Sequence, residues 1–371
     1  MKTEASIDYV SSLEAAFRVA DILHSPLVKE LCVDLPYGPL TIRCDNEAAV
    51  RVLQQTFRHY LASNDIGVSD GCALNIYYVC EQAWSKLRPF LLVTNSTEEA
   101  DYFTWKQGRG VIIHGSFALF MPDDPEADIC LIASNRRLAG VRNNPAWLDF
   151  HSNDPEYFAD WLMVADIAKG AYACRAGVYC LHAALLERDG KGVLVVGESG
   201  AGKTTTALAL GRAGFTLMTD DIVFLSIDKK GDVNASGLLM SPNFVGEPPN
   251  CLEDLEATLG QSGCDKRTVN LDRYRIPVNA NSVVKPELVL LLEKHENRTA
   301  EHEFLEVDWN DALVSIMNQV MDPLALFRRI EHLTLISKLN EQCSVKRLIA
   351  GWNLKSLVDQ VELKLEQVQC H

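Results

Sequence analysis

Gly197, Glu198, Ser199, Gly200, Ala201, Gly202, Lys203 and Thr204 fit the pattern G-x-x-x-x-G-K-[ST] in full. These residue types suit one task, holding a phosphate chain. Glycines let the backbone turn its N–H groups around phosphate oxygens without Cβ clashes, and a helix starting just behind them adds the positive end of its dipole. Lys203 would reach the β- and γ-phosphates, and the Thr204 hydroxyl would take one position on Mg²⁺. Thr205, in the first helical turn, completes the set expected to bind the nucleotide. The flanks meet the motif's structural demand. Val193 to Val196 is a continuous apolar run suited to a buried strand, and Thr205 to Ala213 can form a helix with Ala207, Leu208 and Leu210 facing inward.

Two more groups stand near the loop. Asp189-Gly190 is a hairpin signal, and a turn centred there sets His182 opposite Gly197, at the border of the phosphate loop. A single histidine in an apolar strand also suits a core position, so the residue by itself leaves both roles open. Downstream, Gly214 closes the helix, Phe215 to Met218 reads as a short strand, and Asp220-Asp221 follows at its carboxyl end, the edge where open α/β sheets bind ligands. Mg²⁺ takes oxygen ligands and a kinase needs a base near the incoming hydroxyl, so the pair could divide these two roles. A turn that caps the next strand, Ile222 to Leu225, is the plainer alternative.

Together, His182, the loop 197–204 and Asp220-Asp221 resemble the catalytic core of the HPr kinase/phosphorylase family, whose P-loop fold is related to the phosphoenolpyruvate carboxykinases. The match covers Val178 to Leu225, under a sixth of the chain. The resemblance implies an α/β P-loop kinase core that uses ATP and Mg²⁺. By it, Asp220 is the general base activating the acceptor hydroxyl, His182 orients it, Lys203 contacts the phosphates, and Asp221 with Thr204 holds the metal. The glycine-rich signature and basic loop that follow in the family have only local counterparts here, Pro242 to Glu247 and Asp265-Lys266-Arg267, and a solvated surface loop suits the latter. The implied activity is transfer of the γ-phosphoryl to a hydroxyl, with Ser of a small protein or peptide as the expected acceptor. A small-molecule kinase and a non-catalytic nucleotide-binding regulatory module stay open. Neither the Asn-Lys-x-Asp motif of GTPases nor the Leu-Ser-Gly-Gly-Gln motif of transporter ATPases occurs. Related kinases form rings or dimers, which admits a homo-oligomer.

The elements that must position these groups make up the second of two expected domains, 1–150 and 151–371. The first reads as an α+β unit: a helical start, a strand region from Leu31 to Arg43 broken at Pro36-Tyr37-Gly38, and a helix capped by Asp45 or Asn46. Short strands follow at Asn75 to Cys80, Phe90 to Thr94, Gly110 to His114, Phe117 to Met121 and Ile129 to Ala133. Asn143 to Pro155 reads as a linker. Tyr157 to Ala173 has helical spacing. Leu313, Ile316, Met317, Val320 and Met321 mark an amphipathic helix ended by Pro323, with further helices around Leu324 to Asn340 and Leu354 to Leu365, so that C-terminal helices pack on the sheet.

Composition sets the outer limits. In 371 residues, 47% are hydrophobic and 23% charged, which suits a soluble protein with a real core, and the formal net charge of -15 argues against nucleic acid and anionic membranes as partners. No stretch approaches the ~18 apolar residues of a membrane span. The 11 cysteines include no C-x-x-C pair, so neither a zinc cage nor a redox dithiol is read, and their odd number fits a reduced, cytoplasmic compartment.

Overall fold

Backbone hydrogen bonds are gathered into two large mixed sheets, one in each of two compact units, Met1–Ala176 and Gly177–His371. The computed structural model describes residues 29–61, 72–79, 84, 93–97, 100–105, 108–113, 115, 117–124, 126–134, 155–240, 242–245, 257–259, 266–269, 271–272, 274–293, 302–351 and 353–367. The expected N-terminal helix, the linker up to residue 154, and Gly246, Glu247 and Asp265 fall outside them.

In the first unit, the strand region expected over Leu31 to Arg43 is two antiparallel strands, β1 (Lys29–Leu35) and β2 (Gly38–Cys44), that turn at Pro36-Tyr37, and α1 (Glu47–Thr56) follows. With β3 (Cys72–Val79), β4 (Val93–Ser96), β5 (Ala100–Trp105), β6 (Gly108–Ile113), β7 (Phe117–Pro122) and β8 (Ile129–Ser134) they make a sheet ordered β1-β2-β3-β8-β7-β6-β5-β4. The strand β5 was absent from the sequence expectation, although Tyr102 and Phe103 are buried.

The boundary at residue 150 needs correcting, because α2 (Pro155–Arg175) belongs to the first unit. The Tyr172 hydroxyl accepts the Tyr37 N–H at 3.1 Å and donates to Gly38 O at 3.2 Å, and Arg175 donates to Asp124 O and Ala127 O. These bonds tie the helix to the β1–β2 turn and to the segment before β8.

The second unit is built around β9 (Tyr179–Arg188) and β10 (Lys191–Gly197), joined by a tight turn in which Asp189 and Gly190 have φ of 54° and 80°. β11 (Thr216–Thr219) and β12 (Ile222–Ile227) lie end to end along the other edge of β9. β13 (Val233–Leu238) pairs with β12, and β17 (Lys285–Glu293), β19 (Ser344–Ile349) and β18 (Glu303–Glu306) extend the sheet beyond β10. A small separate sheet holds β14 (Asn243–Val245), β16 (Lys266–Val269) and β15 (Ala257–Leu259), so Lys266 and Arg267 stand in a strand instead of the surface loop expected for them.

Helices cover both faces, which is why the central strands are continuously apolar. Ala184, Leu186, Val193, Val195, Leu288 and Leu290 face α3 (Lys203–Arg212) and α6 (Leu354–Gln367). Leu185, Leu194, Val196 and Val289 face α4 (Trp309–Met317) and α5 (Arg329–Gln342). The amphipathic helix expected to run to Pro323 therefore stops at Met317: Val320, which continues the helical spacing, forms a β-bridge to Leu181 instead. Among the described residues, no helix is long and apolar enough to cross a membrane.

Candidate functional site

The glycine loop sits between strand and helix as its motif requires. β10 ends at Gly197, residues 198–200 form an exposed crest, and α3 opens at Lys203. Gly202 is the N-cap with φ 110° and Gly200 has φ 78°, conformations that side chains with a Cβ rarely adopt. No side chain caps α3, so the first-turn N–H groups that a helix cannot satisfy internally face the loop. Ala201 is 1% exposed and packs into the core, where it anchors the loop from below. Glu198 and Ser199 are exposed, and Thr205 is half-buried in the first turn of α3.

Lys203 folds back over this loop. Its Nζ donates to Gly197 O at 2.7 Å and to Glu198 O at 3.2 Å, and burial lowers its pKa against the opposing pull of Asp221 and Asp220. The ammonium is thus held inside the loop by two backbone carbonyls.

The two carboxylates fill the gap between β11 and β12. The register jumps from Thr219↔Leu185 to Ile222↔His182 along β9, and Asp221 O takes the Ala183 N–H at 3.0 Å. Asp220 turns inward and Asp221 outward. Thr204 Oγ1 donates to Asp220 Oδ2 at 3.0 Å. Burial first, and the charge of Asp221 second, push the Asp220 carboxyl up to about 7, although the Thr204 hydrogen bond works the other way. His182 Nε2 lies 3.2 Å from Asp221 Oδ1, with both side chains partly open to solvent.

All the expected site residues therefore converge, but their pairing differs from the expected one. His182 partners Asp221, not Asp220, and Thr204 bonds to Asp220, not Asp221. The split follows from the bend at Asp220 and Asp221 between the two strands, which buries the Asp220 side chain and leaves that of Asp221 partly open to solvent. The hairpin register agrees with the sequence expectation: β10 pairs with β9 as far as Val196↔Ala183, which puts Gly197 and His182 next in line.

Sequence reasoning missed the supports of the acidic pair. Thr219, fully buried, donates to Leu238 O at 2.9 Å, and its hydroxyl accepts the N–H groups of Asp221 and Ile222 at 3.2 Å each. Gly237 on β13 lets β11 come close, since a Cβ there would stand 2.5 Å from Met218 O. A lone Thr at a strand end and a lone Gly inside a strand carry no signal that singles them out.

A comparison with curated proteins gives a partial relative. An HPr kinase/phosphorylase of Clostridium beijerinckii is 34% identical over 148 residues, which is 40% of this chain and 42% of that protein. The resemblance is to part of a kinase. The chain spans about two fifths of that relative's length, and no family model matches it. The relationship supports a related phosphotransferase family on a mixed α/β scaffold.

Proposed function

We propose that the unit Gly177–His371 is an ATP- and Mg²⁺-dependent kinase that transfers the γ-phosphoryl group to a hydroxyl, with Ser of a small protein or peptide as the acceptor. One observation carries this reading. The strand–loop–helix that holds Lys203 and Thr204 is met at its edge by two carboxylates with separate partners, Thr204 for Asp220 and His182 for Asp221. A pure nucleotide sensor has no need of the second, half-exposed carboxylate. The kinase name of the partial relative supports the same reaction class.

The donor set fits Mg²⁺. Thr204 and Asp220 offer hard oxygen ligands, and a buried carboxyl pushed up to about 7 beside a second carboxylate is a place that a divalent cation would neutralise. Held by Thr204 and Asp220, the ion would supply positive charge that offsets the charge of the phosphates.

In this reading the first-turn N–H groups of α3 and Lys203 bind and orient the phosphates. Asp221 takes the proton of the acceptor hydroxyl as the new O–P bond forms and the bond to the β-phosphate oxygen breaks, with the electron pair leaving on ADP. His182 holds Asp221 toward the acceptor. This exchanges the two aspartate roles that the family resemblance implied. Only the acceptor pocket separates a protein kinase from a small-molecule kinase, and the first unit is the proposed selector.

The test is incubation with γ-labelled ATP and Mg²⁺, with and without a lysate of the source cells. Label on a distinct acceptor, lost in Asp221→Asn, establishes the kinase and its substrate class. Nucleotide binding with no transfer overturns the kinase reading in favour of a regulatory module.

A further inference from the structure

Residues 319–321 occupy the sheet position that β10 would fill if it continued past Gly197. The β9–β10 ladder ends at Val196↔Ala183. Beyond it, the His182 N–H donates to Gln319 O at 2.8 Å, the Met321 N–H donates to Cys180 O at 2.8 Å, and Leu181 bridges Val320. On the opposite edge of β9, Ile222 pairs with His182. The backbone carrying His182 is thus gripped from both sides, and one grip is this strap between α4 and α5.

A buried ionic cluster holds the strap. Asp322 Oδ1 accepts the Leu324 N–H at 2.8 Å, and its Oδ2 accepts from Arg328 Nη1 at 2.9 Å. Arg328 also donates from both terminal nitrogens to Val178 O at 3.2 Å, and its guanidinium lies over the Tyr179 ring, 4.6 Å from the centroid. His332 Nε2 lies 3.1 Å from Asp322 Oδ2 but off the line of a hydrogen bond, and neither ring nitrogen completes one; its ring meets Tyr179 edge-on at 5.1 Å. Arg328 therefore bonds Val178, ahead of β9, to Asp322 at the end of the strap, while His182, at the other end of the stretch 178–182, is bonded to Gln319 of the strap itself.

Such a cluster is a poor source of stability. Apolar side chains of equal volume often do as well or better, because desolvating two charges offsets most of their attraction. Apolar groups lack direction, however, and would leave the strap free to slide along β9. We infer that Asp322, Arg328 and His332 are positioning residues that hold the strap 319–321 against β9 and thereby set His182 at hydrogen-bonding distance from Asp221. For transfer this rests on the kinase reading above.

The test is the paired variant Asp322→Asn/Arg328→Met, which leaves no lone buried charge, beside Arg328→Lys and His332→Phe. The expected result for the pair is a kcat lower by about 10-fold or more, as small misplacements produce, with the KM for ATP within about 2-fold of wild type. Arg328→Lys, which keeps the charge but not the two hydrogen bonds to Val178 O, shows a smaller loss than the pair. The imidazole nitrogen resonances of His182, assigned with His182→Gln, move in the paired variant. Should the pair fail to fold, His332→Phe takes its place in both measurements. Wild-type kcat with unmoved His182 resonances in a folded variant overturns the inference. If the wild-type protein transfers no phosphoryl group, the kinase reading fails, and the His182 resonances alone decide whether the cluster positions that residue.

Discussion

Thr204 and Asp220, sixteen residues apart, are joined by a 3.0 Å hydrogen bond that runs from the first turn of α3 to the junction of β11 and β12. This bond separates the surroundings of two neighbouring carboxylates. Asp220 is drawn inward under the loop, on the side proposed for the metal, and Asp221 is left half-exposed with His182. The bend at Asp220 and Asp221 between β11 and β12 puts one carboxylate on each side, the arrangement that the proposed division of labour uses.

The division makes the two asparagine variants different experiments. Asp221→Asn should keep Mg²⁺-ATP binding within a few-fold and lower kcat by about 100-fold or more, the range of a lost general base. Asp220→Asn should instead raise the Mg²⁺ concentration needed for half-maximal activity. Initial rates across a Mg²⁺ titration distinguish them. Equal metal dependence in both variants would refute the assignment.

Lys203 offers a direct check on the loop. The residue is 6% exposed and its amine is bonded to two loop carbonyls, so Lys203→Ala removes the ammonium from the loop together with the packing of its own stem. ATP affinity should fall by about 10- to 100-fold, the worth of a charge-assisted contact, with unchanged circular dichroism. Calorimetry giving wild-type affinity would remove the nucleotide from the site.

Local chemistry made much of this site legible. The Asp189-Gly190 turn has both residues at positive φ, and that turn geometry fixes the register from which the place of His182 followed. The loop was legible because glycines and a lysine at fixed spacing have few other uses. Tertiary pairing hid the rest. Val320 and Met321 continue the helical spacing of α4, yet beyond Met317 the chain gains more by pairing with β9, and nothing local marks that exchange. The partners of Asp220 and Asp221 depended on which side each faces, which a run of two identical residues does not reveal. Likewise Tyr172 and Arg175 tie α2 to the first unit through residues more than forty positions away.

The ligand-free protein should carry the Asp220 proton into its stability. The carboxyl, near 3.8 in the unfolded chain, is pushed up to about 7 in the fold, mainly by burial. The folded state then holds a proton that the unfolded chain has released, so this contribution is full below the unfolded value and is lost as pH rises toward 7, by at most about 4 kcal/mol. Asp220→Asn imitates the neutral acid at every pH. Its Tm relative to wild type should therefore rise between about pH 5 and pH 8 without Mg²⁺ or nucleotide. A difference that stays flat would show that Asp220 is ionised in the fold across this range.

Thr219 tests whether the supports of the acidic pair matter as much as the pair. Its buried hydroxyl donates to Leu238 O and accepts the N–H groups of Asp221 and Ile222. Thr219→Val keeps the volume but leaves those three polar groups without their shared partner, at a cost of about 1–3 kcal/mol in stability. The junction between β11 and β12 should loosen, lowering kcat by more than it raises the KM for ATP, because Lys203 and the α3 N-terminus are held by other bonds. Thr219→Ser, which restores the hydroxyl without the methyl, should recover most of kcat but less of the Tm. If activity followed Tm alone across both variants, Thr219 would be a core residue with no part in placing the carboxylates.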